Sequence, residues 1–157
     1  MKVSLWRMIL AGIPESLLLA YVSLGLVGVK TEVKGYLKVG IAYTSGMILL
    51  RYVFQFHGLH SLLLILLLMT LLKLIVKVDL KLAVIGVLLV FIILFIIEAI
   101  IFFVIINYAK IDWATINNSL FLKLLLSYLQ QLPLLMIALL IHFFDFKFSE
   151  LADVDHV

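Results

Sequence analysis

One apolar stretch, from Lys81 to Lys110, constrains this chain more than any other part of its sequence. The 28 residues between the two lysines carry a single charge, on Glu98. As a helix rising about 1.5 Å per residue, the stretch is roughly 42 Å long and exceeds the ~30 Å hydrocarbon core of a bilayer. It is predicted to be a transmembrane helix. A charged Glu98 inside it costs about 2.5 to 3.5 kcal/mol on insertion scales, so this carboxyl needs a partner or a proton.

The composition indicates an integral membrane protein. Hydrophobic residues make up 66% of the chain and charged residues 13%, which leaves too little polar surface for a water-soluble globule. The chain has no cysteine, so disulfides and cysteine metal sites are excluded. The net charge of +3 comes mostly from lysines that flank apolar runs. We therefore expect a bacterial inner-membrane protein whose partners are the lipid bilayer and a second copy or a membrane protein, with no nucleic acid.

Charged residues divide the chain into five apolar segments with short connectors. The sequence predicts an all-α, polytopic transmembrane helical bundle of about five spans, with residues 1–148 as the membrane domain and 149–157 as a short acidic tail. Pro14, Glu15 and Ser16 in the first segment indicate either the start of a helix or a kink. The functional alternative is that Glu15 is a second counter-ion for Arg51 or a cation ligand at the mouth of the bundle. The first segment either spans the membrane or is re-entrant at Pro14. The predicted spans are about 5–29, 36–54, 58–76, 82–109 and 121–146.

The first two hairpins resemble each other, which suggests an internal repeat. Residues 12–34 and 58–81 share a glycine, a serine, a run of leucines and the connector Val-Lys-x-acid-aliphatic-Lys, once one or two gaps are allowed. Chance similarity between leucine-rich helices is the alternative. Parallel repeats are a known construction of transporters, so a duplication also points mildly to transport.

The distribution of basic residues predicts the orientation. With five spans, seven lysines lie at one membrane face and five basic residues at the other, which favours an outside N-terminus and an inside C-terminus in the cell membrane. A re-entrant first segment changes the ratio to nine against three.

The polar residues inside the apolar segments are predicted to share one layer. Counted from the inner lysines at about 1.5 Å per residue, Glu15, Arg51, Glu98 and Gln130 all lie roughly 20 to 25 Å towards the outer side. Arg51 requires an anion, and Glu98 is the most enclosed candidate. This layer is either a binding site for a polar ligand or an ion pair that fixes helix packing. Gln130 and Gln131 also precede Pro133, so their amides could satisfy its freed carbonyl, bond another helix or line a site.

No catalytic or cofactor motif accompanies these residues. His57 and His60 have the i, i+3 spacing that puts two imidazoles on one helix face, but two ligands make only weak candidates for a metal site. The sequence has no nucleophile elbow, no His-Glu-x-x-His and no glycine-rich phosphate loop. We therefore expect neither an enzyme nor a bound metal or cofactor.

Two short motifs support a comparison with known membrane segments. The pairing of Gly12-Ile-Pro-Glu15 with Phe56-His-Gly-Leu-His60 resembles small polytopic membrane proteins of Firmicutes-type bacteria and the multi-span input regions of sensor histidine kinases. The resemblance implies a non-enzymatic sensory, regulatory or partner-binding module. Nothing like a phosphoacceptor helix or an ATP-binding domain follows Phe148, so kinase activity is not implied. The alternative function is a small transporter, or the substrate-binding subunit of one, that uses the same polar layer.

Overall fold

The described part of the chain is helical except for short connections. The computed structural model describes residues 5–52, 60–105, 107 and 119–144, and these ranges contain no strand. A π-helical turn, Leu72–Val76, continues the third helix. The predicted all-α fold is therefore confirmed. The helices are α1 (Leu5–Leu26), α2 (Val33–Tyr52), α3 (His60–Leu71), α4 (Leu80–Val104) and α5 (Leu120–Phe144).

Three of these helices are long and apolar enough to cross a membrane. They are α1, through its part Ile9–Leu26, together with α4 and α5. The apolar run Ser61–Val76 in α3 and the following turn is shorter. The structure thus supports a membrane protein with three candidate spans among the described residues, and the count of five spans remains a prediction.

The bundle is built around α1. This helix packs against α2, α4 and α5, while α3 packs against α2 and α4. In the apolar part of α1, 56% of the residues are buried inside the protein, against 17% in α4 and 22% in α5. The fully buried side chains of α1 include Leu19, Val22 and Leu24. The first helix is therefore the core of the fold.

The outer surface of α4 and α5 is apolar. Ile96, Ile100 and Phe103 on α4, and Phe121 and Met136 on α5, are large hydrophobic residues exposed on the protein surface. Water-soluble proteins rarely expose contiguous apolar surface of this extent. The apolar surface of α4 and α5 is therefore expected to face the hydrocarbon chains of a bilayer.

The end of α1 is defined by a glycine. Gly28 has a φ of 78°, and its N–H donates to the carbonyl of Gly25, while the N–H of Val29 donates to that of Leu24. This is the Schellman pattern of helix termination. Lys77 ends the π-helical turn in the same left-handed region, with a φ of 60°.

A second glycine sets the contact between α1 and α4. A Cβ on Gly86 would collide with the backbone carbonyl oxygen of Ser23 on α1. Ser23 itself is buried and donates its hydroxyl to the carbonyl of Ala20. Only a residue without a side chain allows the two helix backbones to come this close.

Contacts between the helices define their relative directions. Residues 12, 16 and 17 of α1 meet residues 47, 44 and 40 of α2, so these two helices are antiparallel. Residues 10 and 21 of α1 meet residues 128 and 142 of α5, so α1 and α5 are parallel. The resemblance between the first two hairpins has no such support, because α1 is one 22-residue helix whereas α3 has 12 residues before its π-helical turn. The repeat remains a prediction.

Candidate functional site

The candidate site surrounds Pro14, which lies in the interior of α1. Because α1 begins at Leu5, the interpretation of Pro14 as the start of a helix is wrong. A proline inside a helix has no N–H to donate and its ring crowds the carbonyl four residues earlier. The carbonyl of Leu10 therefore loses its usual backbone donor.

Two side chains of α5 donate to α1 just upstream of the proline. The hydroxyl of Tyr128 donates to the carbonyl of Leu10 over 3.0 Å. The Nε2 of Gln131 donates to the carbonyl of Ala11 over 2.9 Å. Gln131 is only 6% exposed, so its amide and the carbonyl that it bonds are both shielded.

Two hydroxyls on the other side of α1 continue the pattern. Thr44 of α2 donates to the carbonyl of Gly12 over 3.4 Å, and Ser16 donates to that of Ile13 over 2.8 Å. The two hydroxyl oxygens are also 2.9 Å apart, and because each hydroxyl has one proton, a hydrogen bond between them replaces one of the two bonds to the carbonyls. Both side chains are buried.

Four consecutive carbonyls of α1 thus accept hydrogen bonds from side chains of three helices. We call this arrangement the proline node; it consists of the carbonyls of residues 10–13 with Tyr128, Gln131, Thr44 and Ser16. In a bilayer an unpaired carbonyl costs several kcal/mol, and Pro is tolerated where neighbouring side chains satisfy it. The node therefore holds the part of α1 before Pro14 to both α2 and α5.

A groove runs between α1 and α5 beside the node. Its cavity volume is about 530 Å³. Six leucines from the two helices form most of its lining, and Pro14, Tyr128 and Gln131 complete it. We call it the α1–α5 groove. Tyr128 and Gln131 therefore belong both to the groove and to the node.

Among the residues predicted as the site, Gln131 has a defined structural role. Its amide bonds a neighbouring helix, the second of the three roles considered for the two glutamines, and it also lines the groove. Gln130 beside it is half-buried, as are Glu15 on α1 and Glu98 on α4. The Arg51 and His60 side chains and all of His57 lie outside the described residues. The pairing of Arg51 with Glu98 stays a prediction, and the described residues contain no group of three potential metal ligands of the His, Cys, Asp or Glu type.

Tyr128 and Thr44 were not predicted as site residues, and Ser16 was predicted only as part of a helix start or kink and of the internal repeat. The one available signal was Pro14 itself, because a proline in a helix predicts a carbonyl without its donor at Leu10. The side chains that bond this part of α1 depend on how α2 and α5 pack on it. Tyr128 lies 118 residues after Leu10, and Thr44 lies 32 residues after Gly12.

Comparisons with known proteins give no guide to the site. No protein-family model, curated protein or solved structure matches the chain. Function is therefore inferred from the geometry of the node and the groove.

Proposed function

We propose that this protein is a non-enzymatic, regulatory membrane module in which the part of α1 before Pro14 responds to occupancy of the α1–α5 groove. One observation carries the proposal: Tyr128 and Gln131 line the groove and also hold the carbonyls of Leu10 and Ala11. Anything that enters the groove contacts the side chains that position α1.

The energies involved suit a switch. Side-chain hydrogen bonds between membrane helices average about 0.6 kcal/mol, with a maximum of about 1.7. A ligand whose binding differs by a similar amount between two rotamers of Tyr128 or Gln131 would shift the position of α1. The remaining bonds of the node, from Thr44 and Ser16, keep the helix attached to α2 meanwhile.

The wider topology follows the same proposal. The antiparallel packing of α1 on α2 and the parallel packing of α1 and α5 are compatible with a chain that crosses the membrane five times. The proposed orientation, with the N-terminus outside and the C-terminus inside, rests on the distribution of basic residues. In this topology Glu15, Arg51, Glu98 and Gln130 form a polar layer in the outer half of the bilayer. We propose that this layer holds an ion pair or contacts a second copy or a membrane partner.

The regulatory proposal is tested by filling the groove and measuring the position of α1. The chain has no cysteine, so a nitroxide pair placed on Leu10→Cys and on Ile92→Cys of α4 reports a single distance. The test substitution is Leu132→Trp, which puts an indole into the groove. We expect the distance to change by about 2 Å or its distribution to broaden, as in helix shifts that accompany switching.

The matched control is Leu140→Trp on the same helix. Leu132 and Leu140 are 51% and 46% exposed, but only Leu132 lines the groove. Leu140→Trp should leave the distance unchanged. If Leu132→Trp also leaves it unchanged, groove occupancy is not coupled to α1 and the regulatory function is wrong.

A small carrier is the second candidate function, and the node favours it. Transporter ion sites often present backbone oxygen atoms where a membrane helix is interrupted. The α1 helix is continuous from Leu5 to Leu26, and Pro14 removes only one of its backbone hydrogen bonds. Here the hydroxyls of Ser16 and Thr44 meet the carbonyls of Gly12 and Ile13. A carrier of this kind predicts ²²Na⁺ uptake into proteoliposomes that Thr44→Val abolishes, whereas a regulatory module predicts no uptake above that of empty vesicles.

A further inference from the structure

We infer that the α1–α5 groove holds one hydrocarbon chain of a bilayer lipid. The inference rests on the groove named in the proposed function and identifies the class of its occupant. The cavity volume of about 530 Å³ falls within the range of small-molecule sites, which is about 300 to 1,000 Å³.

Both polar side chains of the groove already donate a hydrogen bond within the protein. The hydroxyl of Tyr128 and the Nε2 of Gln131 donate to carbonyls of α1, and no charged residue lines the groove. The lining therefore offers a ligand almost only hydrocarbon surface. A charged head group would find no counter-charge here and would remain outside, while its chain enters.

The size of the lining residues argues against a transmembrane helix as the occupant. Close helix contacts in membranes use glycine, alanine, serine or threonine, which let two backbones approach. The α5 side of the groove instead presents bulky leucines, among them Leu125, Leu129 and Leu132, and the lining contains none of those four small residues. A flexible chain can follow the space between such side chains, whereas the backbone of a helix cannot.

The groove opens where lipid is present. Leu125, Leu132 and Leu135 are exposed along α5, one of the helices long and apolar enough to span a bilayer. Leu17 and Leu18 on α1 are half-buried and form the floor. An acyl chain can therefore enter sideways from the membrane, and only a chain inside the groove reaches the floor.

Photolabelling in a defined bilayer tests this inference. The full chain is reconstituted into nanodiscs of palmitoyl-oleoyl phosphatidylcholine that contain the same lipid with a diazirine on one acyl chain. After irradiation the labelled residues are mapped by mass spectrometry. We expect label on Leu17 and Leu18 despite their partial burial, and about five-fold less label there in Leu132→Trp. Leu140→Trp should leave the labelling unchanged.

Two results would overturn the inference. Label that follows exposure alone, with none on Leu17 or Leu18, means that only ordinary surrounding lipid contacts the protein. Efficient disulfide formation between two copies of Leu132→Cys, well above that of Leu140→Cys, means that a second copy covers the groove. Neither result depends on the nitroxide distance. If the groove holds no lipid but Leu132→Trp still moves α1, the lipid inference is wrong and the regulatory function stands. If the groove holds lipid but Leu132→Trp does not move α1, the regulatory function is wrong and the lipid inference stands.

Discussion

Tyr128 provides the hydrogen bond that Pro14 removes from α1. Pro14 has no N–H for the carbonyl of Leu10, and the hydroxyl of Tyr128 donates to that carbonyl over 3.0 Å from α5. A local defect in one helix has thus become a contact between two helices. Tyr128 and Gln131, which bond the carbonyls of α1, are also the two polar residues that line the groove.

The relationship between Tyr128 and Pro14 predicts a non-additive pair of substitutions. Tyr128→Phe should lower the free energy of unfolding by about 0.6 to 1.7 kcal/mol, because the Leu10 carbonyl loses its donor. In a Pro14→Ala background the backbone N–H of residue 14 can serve that carbonyl, and the same change should cost less than about 0.5 kcal/mol. Reversible unfolding in mixed detergent and SDS measures both values.

Equal costs of Tyr128→Phe in the two backgrounds would contradict this prediction. They would show that the tyrosine hydroxyl acts independently of the missing N–H. Ser45→Ala is a suitable control, because its hydroxyl donates within α2, to the carbonyl of Ile41.

We expect the same substitution to cost more stability at Gln131 than at Gln130. Gln131→Leu removes the buried side-chain donor to the Ala11 carbonyl, which keeps its backbone donor within α1, and should cost about 0.6 to 1.7 kcal/mol. Gln130→Leu alters a half-buried neighbour that takes no part in the node and should cost less than about 0.5 kcal/mol. Thermal unfolding in detergent distinguishes them. A larger loss from Gln130→Leu would place the important amide in the predicted polar layer and not in the node.

We expect a glycine-to-alanine substitution to destabilise the protein at Gly86 but not at Gly46. Gly86→Ala would push Cβ into the backbone carbonyl of Ser23, so α4 must move away from α1 at a cost of about 1 to 3 kcal/mol or more. At Gly46 the new Cβ would lie 2.5 Å from the terminal Cδ2 of Leu67, a flexible group that can move aside. There the higher helix propensity of alanine, about 1 kcal/mol, offsets the strain. Unfolding of the two variants in parallel checks the difference.

Arg51 and Glu98 predict rescue in a double variant. If they form an enclosed pair, Arg51→Leu or Glu98→Leu alone should cost about 3 to 5 kcal/mol, because one charge is left buried without a partner. The double variant should recover most of that loss. Thermal stability of the four proteins in detergent provides the measurement. Single variants as stable as the wild type would show that the two residues are not paired and that the polar layer is open to water.

The sequence was sufficient for the class of fold and insufficient for the site. The long apolar stretches predicted an all-helical protein, since hydrocarbon leaves the backbone few other ways to pair its polar groups. The central position of α1 was not predictable, because leucine-rich helices look alike until contacts such as that of Gly86 with Ser23 are known. Gln131 was predicted as a site residue from its place beside Pro133, whereas its bond to the Ala11 carbonyl and the role of Tyr128 depend on how α5 packs on α1. The predicted pair of Arg51 and Glu98 was chosen by charge, while the described site consists of neutral groups that bond to the backbone.

The proline node also imposes an order on biogenesis. The carbonyl of Leu10 lies 118 residues before the hydroxyl that serves it. At about 5 to 20 residues per second, a ribosome needs roughly 6 to 24 s to make that interval. In a chain inserted during synthesis, the carbonyl of Leu10 lacks both its backbone donor and Tyr128 for this time. The α5 helix then supplies the missing donor to α1. A nascent chain truncated before Tyr128 lacks both donors that α5 contributes to the node, Tyr128 and Gln131.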